Sequence, residues 1–395
     1  MRIIVSISGA TAAVVVAIFI FATAASAFQS SGRSMIAVDF ASGAVLAEKN
    51  ADTPLPPASM SKIMTIYMAF EALEQGRLQL DEMLPVSRAA AAYRGSTMFL
   101  RAGERVSVED LIRGVVVLSG NDASAVLAEA LSPDGTEAGF ARLMTERGQE
   151  LGLKSSNFTN SNGWPDPEHL MSARDLALIA THIIRTYPEY YKYFAEKEFR
   201  HDDRAIENRY NRNPLLKFDF GGDGLKTGYT RDAGYGIVGS VRRGNRRVVF
   251  VLAGLETRGI REIESERIAN WFFRQFEEKT IFKAGQTVVE VPVWMGDAPT
   301  VSARVVNDAT ILLPAASAAE ITATAVIDMP VLAPIEEGQS LGQLEVTIPE
   351  LSIQAAYPLI AANSLERGGL LVRVMTAIRD LVDKSGITTH SLFDP

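Results

Sequence analysis

The chain contains no cysteine and only four histidines, His169, His182, His201 and His390. Without a thiol it has neither a cysteine nucleophile nor a thiolate metal centre. None of the histidines falls in a zinc-type spacing such as H-E-x-x-H, so no metal or other cofactor is expected. Basic residues are in the minority: 39 Lys and Arg against 47 Asp and Glu leave a formal charge of −8. That balance argues against a nucleic-acid partner, which would favour a basic face. With 395 residues, 47% of them hydrophobic, the chain has ample material for two or three cored domains.

At the N-terminus, Arg2 precedes an apolar stretch that begins at Ile3, includes Val14 to Phe21, and ends in Ala25-Ser26-Ala27. A basic residue, an apolar run and a small-residue cleavage pattern predict a signal peptide over residues 1–27, cut after Ala27. The competing reading is an uncleaved anchor, because the stretch approaches the ~20 residues needed to span a bilayer. Either way the folded part is expected outside the cytoplasmic membrane, in the periplasm or at the cell surface.

Past Phe28, Ser34 to Phe40 and Ala44 to Lys49 read as a hairpin joined by Ala41-Ser42-Gly43. Pro54, Pro56 and Pro57 then interrupt regular structure. From Ser59, the residues Met60, Ile63, Met64, Tyr67, Met68 and Leu73 keep a 3.6-residue period up to Gly76, a helix-ending residue. Ser107-Val108-Glu109-Asp110 starts a second helix as a capping-box variant, running to Leu118, and Asn121 to Leu131 forms another. Gly224 to Tyr229, Ala233 to Val241 and Arg247 to Leu255 read as strands. Ile260 to Phe276 reads as a helix with Ile263, Ile268, Trp271, Phe272 and Phe276 toward the core. Strands at both ends with helices between predict an α+β fold, its antiparallel sheet shared by the terminal strands. From about Gly285, alternating segments separated by Pro, Gly and Asp predict a small all-β domain over residues 285–362. Leu370, Leu371, Val374, Met375, Ile378, Leu381 and Val382 then mark one apolar face of an amphipathic helix over residues 367–384.

Three short strings carry chemistry: Ser59-Met60-Ser61-Lys62, Ser119-Gly120-Asn121 and Lys226-Thr227-Gly228. Ser59 falls where a proline-broken loop enters a helix, so the positive end of the dipole favours an alkoxide there. Lys62, three residues on, shares its helix face and can reach the hydroxyl. An ammonium becomes a base only if desolvation or a neighbouring cation lowers its pKa, and Lys226 is a candidate for that cation. Ser155-Ser156-Asn157 has the same pattern as Ser119-Gly120-Asn121, but only Ser119 lies at a break between helices, where side chains can enter a cleft. Gly228 inside a strand suggests close approach of another backbone or a ligand, such as a substrate lying along the strand.

These strings and their surroundings resemble the low-molecular-mass penicillin-binding proteins of the D-alanyl-D-alanine carboxypeptidase type. The likeness runs through Pro57 to Thr65, Leu118 to Ala123, Ser172 to Asp175, Asn211-Arg212-Asn213 and Asp223 to Thr230, within Ser34 to Glu278. It implies a penicillin-binding, β-lactamase-like transpeptidase domain over residues 28–280, with an antiparallel sheet flanked by helices. It implies Ser59 as acyl-ester nucleophile, Lys62 as proton acceptor, and Ser119 and Asn121 as proton-shuttling and amide-holding groups. Lys226, Thr227 and Gly228 would bind substrate, with Arg212 aiding at the carboxylate unless it merely pairs a surface acid. The backbone N–H groups of Ser59 and Tyr229 would form the oxyanion hole. The implied substrate is the peptidoglycan pentapeptide ending in D-Ala-D-Ala, with β-lactams as covalent inhibitors. The C-terminal helix would rest on the outer face of the cytoplasmic membrane. Asn162-Gly163-Trp164 departs from relatives that carry a histidine before this glycine. Rival readings are a D,D-endopeptidase, a β-lactamase using Glu168, and a non-catalytic wall-binding scaffold.

Overall fold

The computed structural model describes residues 2–7 and 28–369, except 203, 205, 218, 316, 318, 319 and 350–352. The chain divides into two compact units, one of residues 26–274 and one of residues 275–395 joined by residues 1–25.

In the first unit, β1 (Ser34–Asp39) and β2 (Val45–Lys49) form the expected hairpin. Helices α1 (Lys62–Glu74), α2 (Val108–Arg113), α3 (Asn121–Leu131), α4 (Glu137–Glu150) and α5 (Ala173–Thr186) follow. Strands β3 (Gly222–Thr230), β4 (Gly234–Arg243) and β5 (Arg246–Leu255) and helix α6 (Arg258–Gln275) complete it. The five strands make one antiparallel sheet in the order β2-β1-β5-β4-β3. The first strand therefore pairs with the last, Ile36 opposite Val251, and the helices are inserted between them in sequence.

Both faces of the sheet are covered. Val249 and Val251 of β5 join Ile36, Leu225 and Val238 in the core shared with the helices, while Val248, Phe250 and Leu252 are buried on the opposite side. Helix α1 is enclosed nearly all round, with Ile63, Met64, Ile66 and Phe70 fully buried. This explains why a helix with so few polar residues is stable there. It ends as its sequence predicts, at Gly76 with φ +68°, a conformation that glycine adopts without a Cβ clash. The Ser107 hydroxyl caps α2 by accepting from the Asp110 N–H at 3.2 Å. Ile263, expected in the core of α6, is 60% exposed; Ile268 and Phe272 carry the buried face instead. The turn between β4 and β5 is only Gly244-Asn245, since Arg243 pairs directly with Arg246.

The second unit is all-β, with a boundary earlier than expected. The predicted helix stops one residue early, at Gln275, and Phe276 opens β6 (Phe276–Phe282), paired with β9 (Ala309–Pro314). The remaining strands are β7 (Thr287–Trp294), β8 (Thr300–Val305), β10 (Thr322–Asp328), β11 (Val331–Leu332), β12 (Ser340–Ile348) and β13 (Ile353–Ala361). They form a sheet ordered β10-β12-β13-β8-β7-β11, and the segment Arg2–Ile7 pairs antiparallel along the outer edge of β10. Alternating residues such as Val301, Ala303 and Val305 of β8 and Leu344 and Val346 of β12 fill a separate core. Arg367 and Gly368 are not helical: Arg367 bridges to Gly296, and the Gly368 N–H donates to Met295 O at 2.9 Å. The apolar stripe from Leu370 to Val382 and residues 8–27 of the expected signal peptide lie outside the described residues. Among the described residues, no helix is long and apolar enough to cross a membrane.

Candidate active site

Three segments distant in sequence converge at one edge of the sheet. A single 3₁₀ turn, Ala58–Ser61, precedes α1, so Ser59 sits half-buried just before the helix begins at Lys62. The neighbouring Ala58 is held at φ +49°, a conformation costly for a residue with a Cβ. The second segment follows α2, which widens into a π-type turn over Gly114–Leu118 and stops at Ser119 with φ +63°. This left-handed residue reverses the chain before α3 starts at Asn121. The third is the middle of β3, carrying Lys226 and Thr227.

Lys62 is fully buried. Its Nζ lies 3.0 Å from Ser59 Oγ, 2.7 Å from Asn121 Oδ1 and 2.6 Å from the carbonyl of Asn162. Burial, then the nearby Arg212 charge, lowers its pKa to about 7, against the opposing pull of Asp122 and Glu137. The depressing cation is thus Arg212 rather than the expected Lys226. Lys226 Nζ donates to Ser119 Oγ at 3.0 Å and to its neighbour's carbonyl, Thr227 O, at 3.2 Å. Burial lowers its pKa well below the ordinary lysine value, and the charges of Lys62, Arg212 and Arg261 add to that. No carboxylate pairs with Lys62, Lys226 or Arg212 among the described residues. Lys226 and Arg212 thus form a wall with no carboxylate paired to it among the described residues.

Arg212, in this wall, does not pair a surface acid. Its guanidinium donates to Ser96 Oγ at 2.8 Å, to Leu118 O at 3.3 Å, and to Asn208 Oδ1. Arg261, which the sequence reading missed, is 4% exposed, and its Nη2 donates to Arg212 O at 3.3 Å. Burial lowers its pKa to about 10. Thr227 is buried beside Lys226, whereas Tyr229 is 55% exposed and stacks on Tyr235 with ring centres 4.2 Å apart.

Gly228 is in close contact with the turn bearing the nucleophile. A Cβ there would stand 2.8 Å from Pro57 O and 3.2 Å from Met60 N, so the missing side chain lets β3 press on the turn bearing Ser59. Gly163 does the same from the other side, where a Cβ would meet Ala58 O at 1.9 Å. The Asn162 side chain, standing where some relatives have histidine, accepts from the Trp164 N–H at 2.9 Å and donates to Glu137 at 3.1 Å. The look-alike Ser155-Ser156-Asn157 lies elsewhere: Ser155 N and Ser156 Oγ both donate to Asp175 at 2.7 Å. Glu168 is exposed, and its backbone carbonyl accepts from Asn157. A cleft of about 350 Å³ opens next to the nucleophile turn, bordered by Pro57, Ala58, Trp164, Asp166 and Thr230. Among the described residues no group of His, Asp and Glu side chains converges as a metal site.

A serine beside a buried, depressed lysine, with a wall of basic residues on the opposite side, defines a serine acyl-transfer site on a penicillin-binding fold. Residues 21–257 match the family of D-alanyl-D-alanine carboxypeptidases, and residues 276–367 match the penicillin-binding protein 5 C-terminal domain. The chain belongs to the D-alanyl-D-alanine carboxypeptidase family. It is 38% identical over 350 residues to D-alanyl-D-alanine carboxypeptidase DacC of Escherichia coli (strain K12), covering 87% of this chain and 86% of that one. Its fold is similar to penicillin binding protein 5 from Haemophilus influenzae, with TM-score 0.74 and 36% identity over 86% of this chain and 98% of that one. The chain is also similar to penicillin-binding protein D2 from Listeria monocytogenes in its ampicillin-bound form. That match has TM-score 0.56 and 29% identity, over 62% of this chain and 98% of that one.

Proposed function

We propose that this serine peptidase removes the terminal D-alanine from peptidoglycan stem peptides ending in D-Ala-D-Ala, through an ester on Ser59. The observation that carries the reading is the 3.0 Å approach of the buried Lys62 Nζ to Ser59 Oγ. A neutral amine at that distance takes the hydroxyl proton as Oγ attacks the penultimate D-alanine carbonyl. The backbone N–H groups of Ser59 and Tyr229 hold the oxyanion. Asn121 holds Lys62 and the substrate amide, and Ser119 passes the proton on to the departing amine nitrogen as the C–N bond breaks. Lys226, Thr227 and Arg212 bind the terminal carboxylate, which supplies the anion their wall lacks. Water then attacks the ester carbonyl, its proton returns through Lys62, and Ser59 leaves as the hydroxyl.

Penicillin presents a carboxylate and a strained amide to the same groups, so it acylates Ser59. Its ester is expected to turn over slowly, because Glu168, the one candidate loop acid, is exposed to solvent. The leader pattern supports export, and the stripe from Leu370 to Val382 supports docking on the outer face of the cytoplasmic membrane. The test of reaction type is incubation with a pentapeptide ending in D-Ala-D-Ala. Free D-alanine is expected; cross-linked dimers or cut cross-bridges without free D-alanine would favour transpeptidase or endopeptidase action.

A further inference from the structure

Two of the three acceptors around Lys62 Nζ, Asn121 Oδ1 and the Asn162 carbonyl, belong to residues linked to one half-buried carboxylate, Glu137, Asn162 directly and Asn121 through the segment that holds it. Its Oε1 accepts from Ser161 N at 3.0 Å, Ser161 Oγ at 2.6 Å and Asn162 Nδ2 at 3.1 Å. Its Oε2 accepts from the Tyr93 hydroxyl at 2.5 Å. The Tyr93 segment continues directly into Arg94, whose carbonyl accepts from Asn121 Nδ2 at 2.7 Å, and Ser96, whose carbonyl accepts from Asn121 N at 2.7 Å. The Ser161 carbonyl is fixed in turn by Thr65 Oγ1 at 2.6 Å and Ser124 Oγ at 2.8 Å. One carboxylate therefore ties both walls of the lysine pocket, each oxygen holding one wall.

We propose that Glu137 is a positioning residue for the acylation step. It helps to aim the Asn121 amide and the Asn162 carbonyl at Lys62 and, with Asp122, supplies negative charge that tunes this base. The proposal rests on Lys62 being the proton acceptor. Lys62 is also faced by Asp122 from α3, Arg212 from the loop before β3, Lys226 from β3 and the buried His169. Glu137 itself is faced by Tyr93 and by Glu129 of α3. Asp122 is committed elsewhere, its carboxylate accepting from Met98 N at 3.0 Å and Leu100 N at 3.1 Å. Glu137 is thus the acid that bonds the Asn162 side chain directly and reaches Asn121 through the Tyr93–Ser96 segment. A negative charge nearby stabilises the ammonium, so removing it lowers the lysine pKa.

The test is the pH dependence of the second-order rate of acylation by benzylpenicillin in wild type, Glu137→Gln and Glu137→Asp. Glu137→Gln keeps the size and loses the charge. Its acid-limb midpoint is expected to fall by about half a pH unit or more and its plateau rate by about tenfold. Glu137→Asp keeps the charge and is expected to keep the wild-type midpoint with a reduced plateau. A Glu137→Gln midpoint that stays put or rises, at any plateau rate, overturns the proposal, because a purely structural tie would leave it unmoved. A wild type without an acid limb would instead overturn Lys62 as base. Circular dichroism and the melting temperature establish that each variant is folded.

Discussion

Lys62 and Ser59 stand 3.0 Å apart, Nζ to Oγ, on one turn of chain, and the lysine has no exposure to solvent. Three residues of spacing bring the two groups together, and the surrounding core lowers the ammonium to about 7, where a substantial fraction is neutral at neutral pH. Spacing and burial together turn a surface-type side chain into a base.

Acylation by penicillin and release of D-alanine are expected to rise with pH through a midpoint near 7, because only neutral Lys62 accepts the proton. Rate profiles between mildly acidic and mildly alkaline pH check this. A profile that is flat through neutrality would contradict it.

The same lysine predicts a stability signature. Its folded pKa, about 7, is lowered from 10.5, so between these values the unfolded chain binds the extra proton and stability rises with pH. Relative to Lys62→Met, wild-type stability in urea is therefore expected to climb from about pH 7 to about pH 10 and to be level below that window. A difference that does not change with pH would place a compensating charge against Lys62.

Gly228→Ala and Gly163→Ala are expected to push the nucleophile turn away from its seat, since their Cβ atoms would meet Pro57 O at 2.8 Å and Ala58 O at 1.9 Å. A displacement of the order of 1 Å costs roughly a hundredfold in rate. Gly163→Ala, with the closer contact and a φ of +77°, is expected to lose melting temperature as well. Penicillin acylation rates and thermal melts read the two effects separately.

Arg212→Ala is expected to lower kcat/KM about a hundredfold for a peptide with a free terminal carboxylate. For the same peptide amidated at its C-terminus, the wild type is already poor and the variant is expected to change it little. Equal losses on both peptides would assign Arg212 to structure alone.

Removing the chain from Gly368 onward is expected to leave soluble turnover intact and to abolish binding to vesicles containing anionic lipid, given Arg373 and Arg379 beside the apolar stripe. Loss of activity or of folding on truncation would place the stripe in the protein core.

Local chemistry made much of this molecule readable in advance. Ser107 as a cap, Gly76 as a helix end and the alternation in β7, β8 and β10 each act within a few residues, so the elements emerge from the order of side chains. Ser59 and Lys62 were readable for the same reason. Strands β6 and β9 were not, because Phe276–Phe282 follows α6 without a break and is a strand through its pairing with the distant Ala309–Pro314. The environment of Lys62 was equally hidden: its Asn162 acceptor lies 100 residues away, and Arg261 and Glu137 enter only once the chain has folded. A backbone carbonyl used as an acceptor leaves no mark on residue identity. Gly228 was recognised as a site of close approach, but the approaching group is the Pro57 carbonyl.

The most direct test of the account is to treat the purified protein with fluorescent penicillin and locate the adduct by peptide mass spectrometry, in wild type, Ser59→Ala and Lys62→Ala. The account predicts one adduct, on Ser59, and none on Ser59→Ala. Lys62→Ala is predicted to label roughly a thousandfold or more slowly, because nucleophile and base act as one unit. An adduct on another residue, or undiminished labelling of Ser59→Ala, would contradict it.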